Sequence, residues 1–330
     1  MRTTQEVDVL RNCGSLQLAA VVEQPHEHFL DGSRGVLHSA SVLFSAGAGY
    51  ACRVTGSSGA VGVSQGARQR PAPLLRPFVR WYEGYRLAGF PPGIHRGMPS
   101  PEVTVIITFG EPVALLPDVG PPDTFDALAS GLSSAPVIIA HTGFQHGIQL
   151  SLTPAGARAL LGVPAAALGS WAVDLEDVLG VDYRELNDGL AGTPTWPERF
   201  AILDRILARR LVASGEVGID SALSQAWRML VSDPGRPVRT VADELGWSRR
   251  HLTGRFVAEF GLPPKEVARV ARFHRSRSLL RTAGPHRLAD VAAVCGYYDQ
   301  AHLAREWRDL AGVPPSRWLA EEVFPIVQDE

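Results

Sequence analysis

The spacing of apolar positions changes character along the 330-residue chain. Residues 1–70 show no sustained period; Gly and Ser recur, and the segment is predicted to be a poorly ordered or loosely packed extension. From residue 71 the apolar residues fall into short β-branched or aromatic runs. These are FVRWYEGYRL (78–87), EVTVIITFG (102–110), PVALL (112–116), APVIIAH (135–141) and HGIQLSL (146–152), separated by Gly/Pro turns such as Phe90–Gly93. In the last run Ile148, Leu150 and Leu152 alternate with polar neighbours, the pattern of a half-buried strand. Several short strands with turn signals predict a small barrel or sandwich.

At Thr153-Pro154 the period becomes helical: an N-cap is followed by Pro in the first turn. A longer helix runs from Pro197 to about Ala213, with Phe200, Leu203, Leu207 and Leu211 at helical spacing. That stripe suits core or a dimerisation face, core being the better fit. SGEVG (214–218) reads as a linker. From Ser221 onward each segment carries its own cap and stop. A helix over Lys265–Arg281 lies between two shorter pairs. The predicted fold class is α+β: a β-rich barrel- or sandwich-like domain with helices over 71–215, and an all-α domain over 216–330.

Composition adds exclusions. At 45% hydrophobic and 20% charged residues the chain can bury a core and is not a disordered polymer. No run approaches 18 apolar residues, so no membrane partner is expected. The opening MRTTQEVDVLRN does not read as a signal peptide. Cys13, Cys52 and Cys295 are too scattered for a disulfide framework or a zinc module, which fits a reducing cytoplasm. The net charge of −2 conceals an asymmetry: −5 over 1–235, +7 over 236–318 and −4 over 319–330. A basic block in a near-neutral chain points to a polyanion.

Within that block one unit occurs twice. Val241-Ala-Asp-Glu-Leu-Gly-Trp-Ser precedes Arg249-Arg250-His251-Leu252-Thr253-Gly254-Arg255-Phe256; Leu288-Ala-Asp-Val-Ala-Ala-Val-Cys-Gly-Tyr-Tyr-Asp precedes Gln300-Ala301-His302-Leu303-Ala304-Arg305-Glu306-Trp307. Each has a short helix with a small Ala (Ala242, Ala289), a Gly in the turn and an aromatic after it. A capped helix follows, pinned by apolar residues at i and i+4. These are the parts of a helix-turn-helix, whose second helix fits a B-DNA major groove. The units span about 236–260 and 286–310, joined by the helix 265–281.

Residues 222–320 resemble the DNA-binding domain of AraC/XylS-type transcriptional regulators. The resemblance is most specific in Leu288-Ala-Asp-Val-Ala, Gly296-Tyr-Tyr-Asp-Gln-Ala-His-Leu-Ala-Arg305 and Gly312-Val-Pro-Pro-Ser-Arg-Trp318. It implies that two recognition helices enter successive major grooves of double-stranded DNA. The implied base readers are Arg249, Arg250, Thr253, Arg255, Gln300, Ala301, His302 and Arg305. Ser248, His251, Arg269, Arg272, Arg275 and Asp299 are expected at phosphates, Asp299 chiefly as a helix cap. Gly254 stands where many such proteins carry a larger polar reader, and Trp307 where Phe is usual.

The resemblance also implies an N-terminal sensing or dimerising half. Residues 71–215 are similar, less specifically, to the regulatory halves of actinobacterial-type members. A small-molecule effector, a homodimer and RNA polymerase are candidate partners. Trp81, Tyr85, His95, Thr108, His141, Gln145 and Gln149 are candidate pocket residues, though plain core or surface roles are the better fit for them. His26-Glu27-His28 and His141/His146 lack a well-placed carboxylate, so neither a metal nor a cofactor is expected, and the reading is of a regulator rather than an enzyme. Two alternatives stay open: a DNA-binding protein with no effector, and an N-terminal enzyme fused to a DNA-targeting module.

Overall fold

The computed structural model describes residues 40–44, 49–55, 61–215, 218–281 and 287–321. Twelve strands form in them: β1 Ala40–Phe44, β2 Gly49–Thr55, β3 Val61–Gln69, β4 Val79–Ala88, β5 Gly93–Gly97, β6 Val103–Thr108, β7 Val113–Leu116, β8 Asp123–Phe125, β9 Ala127–Ser130, β10 Val137–His141, β11 Gln145–Leu152 and β12 Val173–Asp174. They make an eight-stranded sheet in the order β1-β2-β3-β4-β11-β6-β9-β12 and a four-stranded sheet in the order β5-β10-β7-β8, with antiparallel pairing throughout.

Strand alternation gives the large sheet two buried faces. Ile148, Leu150 and Leu152 of β11 join Val103, Val105 and Ile107 of β6 and Tyr82 of β4 against a layer of helices. On the other face Ile106 and Leu128 meet Val113, Leu115 and Ile139 of the small sheet.

The helix layer comprises α1 (Pro154–Gly156, continued in π-turns over Ala157–Leu161), α2 (Leu175–Leu179), α3 (Val181–Ala191) and α4 (Trp196–Ser214), with a 3-10 turn at Ala165–Leu168. Thr153 caps α1 as its sequence predicts, accepting a hydrogen bond from the Gly156 N–H at 3.1 Å. The apolar stripe of α4 is core. Phe200, Leu203, Ile206 and Leu207 are buried against the sheet, and Tyr82 donates to Asp204 at 2.9 Å.

The sheet reaches into the stretch expected to be loose. Strand β3 lies within residues 1–70 yet pairs with β4 from Val63↔Ala88 to Gln69↔Tyr82. Small residues mask its period. A Cβ on Gly62 would sit 2.5 Å from the Phe90 ring, so close packing, not looseness, calls for Gly there. Gly62-Val63-Ser64-Gln65-Gly66 has the Gly-x-Ser-x-Gly spacing of a nucleophile elbow. It runs mid-strand with Ser64 buried, so it is not the strand-to-helix turn that exposes a nucleophile. Cys13 and His26–His28 lie outside the described residues.

Seven helices follow among the described residues: α5 (Ser221–Ser232), α6 (Val238–Glu244), α7 (Arg249–Phe260), α8 (Pro264–Arg281), α9 (Leu288–Val294), α10 (Gln300–Ala311) and α11 (Pro315–Glu321). Helices α5–α7 share one continuous core with the sheet's helix layer, through Leu223, Leu230, Val241, Leu252, Phe256 and Phe260. Helices α9–α11 have their own core around Val291, Leu303, Trp307, Leu310 and Trp318. Helix α8 serves both, giving Val267 and Ala268 to the first and Val270, Phe273 and Leu280 to the second.

Candidate nucleic-acid interface and inner cavities

The two helical pairs have the same turn. The Trp247 N–H bonds the Ala242 carbonyl and the Tyr297 N–H bonds the Ala292 carbonyl, both at 2.9 Å. Gly246 and Gly296 occupy the left-handed region, at φ +67° and +80°. The equivalence corrects the expected register of the second pair. Val241-Ala242 corresponds to Val291-Ala292, both alanines being buried, whereas Ala289 is exposed. The crossing point is set by distance from the turn glycine, and both pairs have Ala four residues before it.

The caps follow their chemistry. Ser248 accepts from the His251 N–H at 3.1 Å and Asp299 from the His302 N–H at 2.6 Å. Leu252/Phe256 and Leu303/Trp307 are fully buried, and Trp307 Nε1 donates to Ser276 Oγ of α8 at 2.9 Å. With one face pinned, the other is presented: Arg249, Arg250, Thr253 and Gly254 on α7, and Gln300, Ala301 and Arg305 on α10, are exposed. Arg249, Arg250, Thr253 and Gly254 line one hollow with Lys265 at the start of α8. Arg275 is exposed.

Other expected DNA contacts are placed elsewhere. Arg272 is held in the protein, donating to both carboxylate oxygens of buried Glu306 at 2.6 and 3.1 Å and to the Pro234 carbonyl at 3.2 Å. Arg269 bridges Glu266, Glu306 and Asp309 at 2.9–3.4 Å. Arg255 turns toward Asp220, 3.7 Å away, and the Trp247 ring. His302 folds back on its own turn: Nδ1 accepts from the Tyr298 N–H at 3.2 Å, which leaves the proton on Nε2, 3.4 Å from Glu306. Glu306 is thus the hub that ties α8 to α10. No hydrophobic period marks it, and only the surplus of arginines on α8 hints that an acid must answer them. Tyr298, an extra residue relative to the first turn, is 92% exposed at the start of α10.

Among the described residues, two cavities lie between the sheets. One encloses about 1100 Å³, counting space open to solvent, and brings together Tyr85, Thr108, His141 and Gln145. His95 lies beside it, its ring 5.6 Å from that of His141. Burial, with His141 alongside, pushes His95 down to about 3, and burial lowers His141 too, so both are neutral near pH 7. Gln149 shares the inner face of β11 with Gln145, and Trp81 shares that of β4 with Tyr85, stacked under Arg68 at 4.1 Å. The second cavity, a narrow slot of about 560 Å³ counted the same way, opens by Met98, Glu102, Ser130 and Trp171. The sequence did not single out these four, because nothing in a Met-Pro-Ser-Pro-Glu run marks it as a cavity wall. Among the described residues no group of three or more His, Cys, Asp or Glu could hold a metal ion, and no helix is long and apolar enough to cross a membrane.

Residues 241–321 match the family described as helix-turn-helix domain. The C-terminal part of the chain is therefore a helix-turn-helix domain of the AraC type, a DNA-binding module of transcriptional regulators. Solved structures with a likeness to part of the chain include ToxT from Vibrio cholerae with an unsaturated fatty acid bound. It is 13% identical, covers 76% of this chain and 96% of that one, and has a TM-score of 0.46. A second ToxT structure, bound to (E)-4-(8-methylnaphthalen-1-yl)but-3-enoic acid, is 15% identical at TM-score 0.44, covering 72% and 97%. The AraC-like transcriptional activator CuxR is 16% identical at TM-score 0.29, covering 66% and 79%. A search of curated proteins finds no match.

Proposed function

We propose that the chain is a sequence-specific DNA-binding transcriptional regulator whose α7 and α10 enter successive major grooves, and whose sandwich senses a small molecule. The repeated turn carries this reading: two pairs with the same glycine, the same buried alanine and the same capped second helix each present one polar face. Arg249, Arg250, Thr253, Gln300, Ala301 and Arg305 read bases. Ser248, His251, Lys265, Arg275 and the N-terminus of α10 around Asp299 meet phosphates, with Tyr298 alongside. Arg255, His302, Arg269 and Arg272 position the two helices instead of touching DNA. The cavities between the sheets supply the sensing volume, and a homodimer and RNA polymerase are the further partners that a regulator of this class would use.

Genome-fragment selection with the purified full-length protein tests the reading. Retained fragments sharing two half-sites about one helical turn, ~34 Å, apart are expected. Retention of fragments with no common motif by the full chain, with and without small-molecule extracts, refutes sequence-specific reading.

A further inference from the structure

The slot beside Met98 shares a wall with the DNA-binding part. The segment from Gly97 to Glu102 lines it, and the same segment docks on α8 and the second helical pair. Met98 is buried in the apolar cluster of Val270, Phe273, Leu280 and Val291. Glu102 both lines the slot and lies near enough to Arg277 of α8 for their charges to interact. Just before the segment, the Arg96 side chain reaches the Gly312 turn that ends α10. Arg96 and Met98 of one edge strand and loop thus touch the far end of the second recognition helix and the linker helix, and Glu102 interacts with the linker helix through charge.

The lining defines what the slot would take. Ile106, Leu115, Leu128 and Ile139 make its walls and Trp171 closes one side. Glu102 is the sole charged group in the lining, and burial raises its pKa despite Arg80 and Arg277 nearby. A carboxylate brought there would meet a like-charged or desolvated acid with no cation in the lining to receive it. A hydroxyl or ammonium group would meet an acceptor.

We propose that this slot is the effector site, that it takes a compact and mainly apolar molecule with a hydrogen-bond-donating head, alcohol or amine, and that occupancy is relayed by Gly97–Glu102 to α8 and α10. This rests on the reading of the sandwich as a sensor. The donor head binds Glu102 and competes with its interaction with Arg277; the apolar body fills space behind Met98. The segment then shifts against α8, and the second recognition helix moves relative to the first, which stays anchored to the helix layer by the bidentate Arg158–Glu259 pair at 2.6 Å.

Four matched probes test the site on the full chain by calorimetry: benzyl alcohol, benzylamine, benzoate and toluene. Benzyl alcohol and benzylamine are expected to bind at least tenfold more tightly than benzoate. Glu102→Gln should abolish that preference. Ala135→Trp, at the exposed mouth and clear of the core, should abolish binding. Benzoate binding as well as benzyl alcohol, binding that survives Ala135→Trp, or no binding of either donor probe at millimolar concentration overturns the assignment. The relay is read by amide hydrogen exchange. Benzyl alcohol should alter protection in 264–281 and 300–311, and Arg96→Ala, outside the slot lining, should diminish the change in 300–311 while binding persists. Unchanged exchange there with the site occupied overturns the relay. Should the probes bind while fragment selection yields no motif, it is the DNA-reading proposal that falls.

Discussion

At the scale of single residues, Glu306 decides more than any arginine around it. It is buried and answers Arg269, Arg272 and His302 together. Removing one partner of a buried ion pair leaves an uncompensated charge, so Glu306→Ala should cost about 3–5 kcal/mol in urea unfolding. Arg272→Ala should likewise lower stability, with little change in the salt dependence of DNA binding; a flattened salt slope in a variant of native stability would instead place Arg272 at a phosphate. Arg305, exposed on α10, behaves oppositely: Arg305→Ala should leave stability intact and cost about 1–3 kcal/mol at one base position. Equal weakening on specific and random DNA would refute that. At Gly254 a new side chain meets nothing within 4 Å. Gly254→Gln should therefore stabilise α7 by up to about 1 kcal/mol, since Gly is a poor helix former, and should narrow the sequence preference of the first half-site. A lower unfolding midpoint in that variant would mean that the face is not open.

At the scale of elements, the sequence spoke clearly wherever periodicity met a cap. Helix α7 starts after Ser248 and stops at Gly261, and β11 alternates as Ile148, Leu150 and Leu152 require, all as expected. It was silent where burial is polar or residues are small. Gly62 and Gly66 hid strand β3, and the arginines of α8 read as a DNA-facing stripe because a partner 34 or 37 residues away leaves no local mark. Ala289 and Ala292 lie in one small-residue run, and only the hydrogen bond from Tyr297 identifies which is buried. The pocket candidates were legible in part: the alternation in β4, β6 and β11 puts Tyr85, Thr108 and Gln145 on inner faces, but the Met98–Glu102 loop has no such period. The joint between α1 and α7 was not legible at all. Arg158 grips Glu259 with two hydrogen bonds of 2.6 Å, yet Arg158 is part-exposed. Arg158→Ala should cost about 1–3 kcal/mol, below the buried limit, and should raise hydrogen exchange at the C-terminal end of α7 without affecting α10. Equal protection loss in both helices would show that the two pairs unfold as one unit.

At the scale of the molecule, three partly buried histidines make stability depend on pH. His95 and His274 are held down to about 3 and His146 to about 4, with burial the main cause. In the unfolded chain each titrates near 6.5. Between pH 6.5 and about 4 the unfolded state therefore takes up protons that the folded state refuses, and stability falls as the pH falls. Each group contributes up to about 1.4 kcal/mol per pH unit, less at His146, which solvent screens. Urea midpoints should drop between pH 7 and pH 5, and a flat profile would show that these side chains are open to protons.

The same scale sets the geometry on DNA. Helix α8 has 18 residues, a span of about 27 Å at ~1.5 Å per residue. Its two ends belong to different cores, and Glu306 clamps its middle to α10, so α8 does not bend internally and carries α10 with it. Successive major grooves on one face of straight B-DNA are ~34 Å apart. A spacer shorter than the groove repeat, loaded with a helix at each end, brings the grooves together only if the duplex bends toward the protein. Bending by 40–90° costs of order 1–6 kcal/mol, which two sets of groove contacts can offset. Gel mobility of the complex should therefore vary with the position of the site in permuted fragments of equal length. Uniform mobility would mean that only one recognition helix is fully seated. In that case Gln300→Ala and Arg250→Ala would differ sharply in their effect on affinity instead of costing comparable amounts.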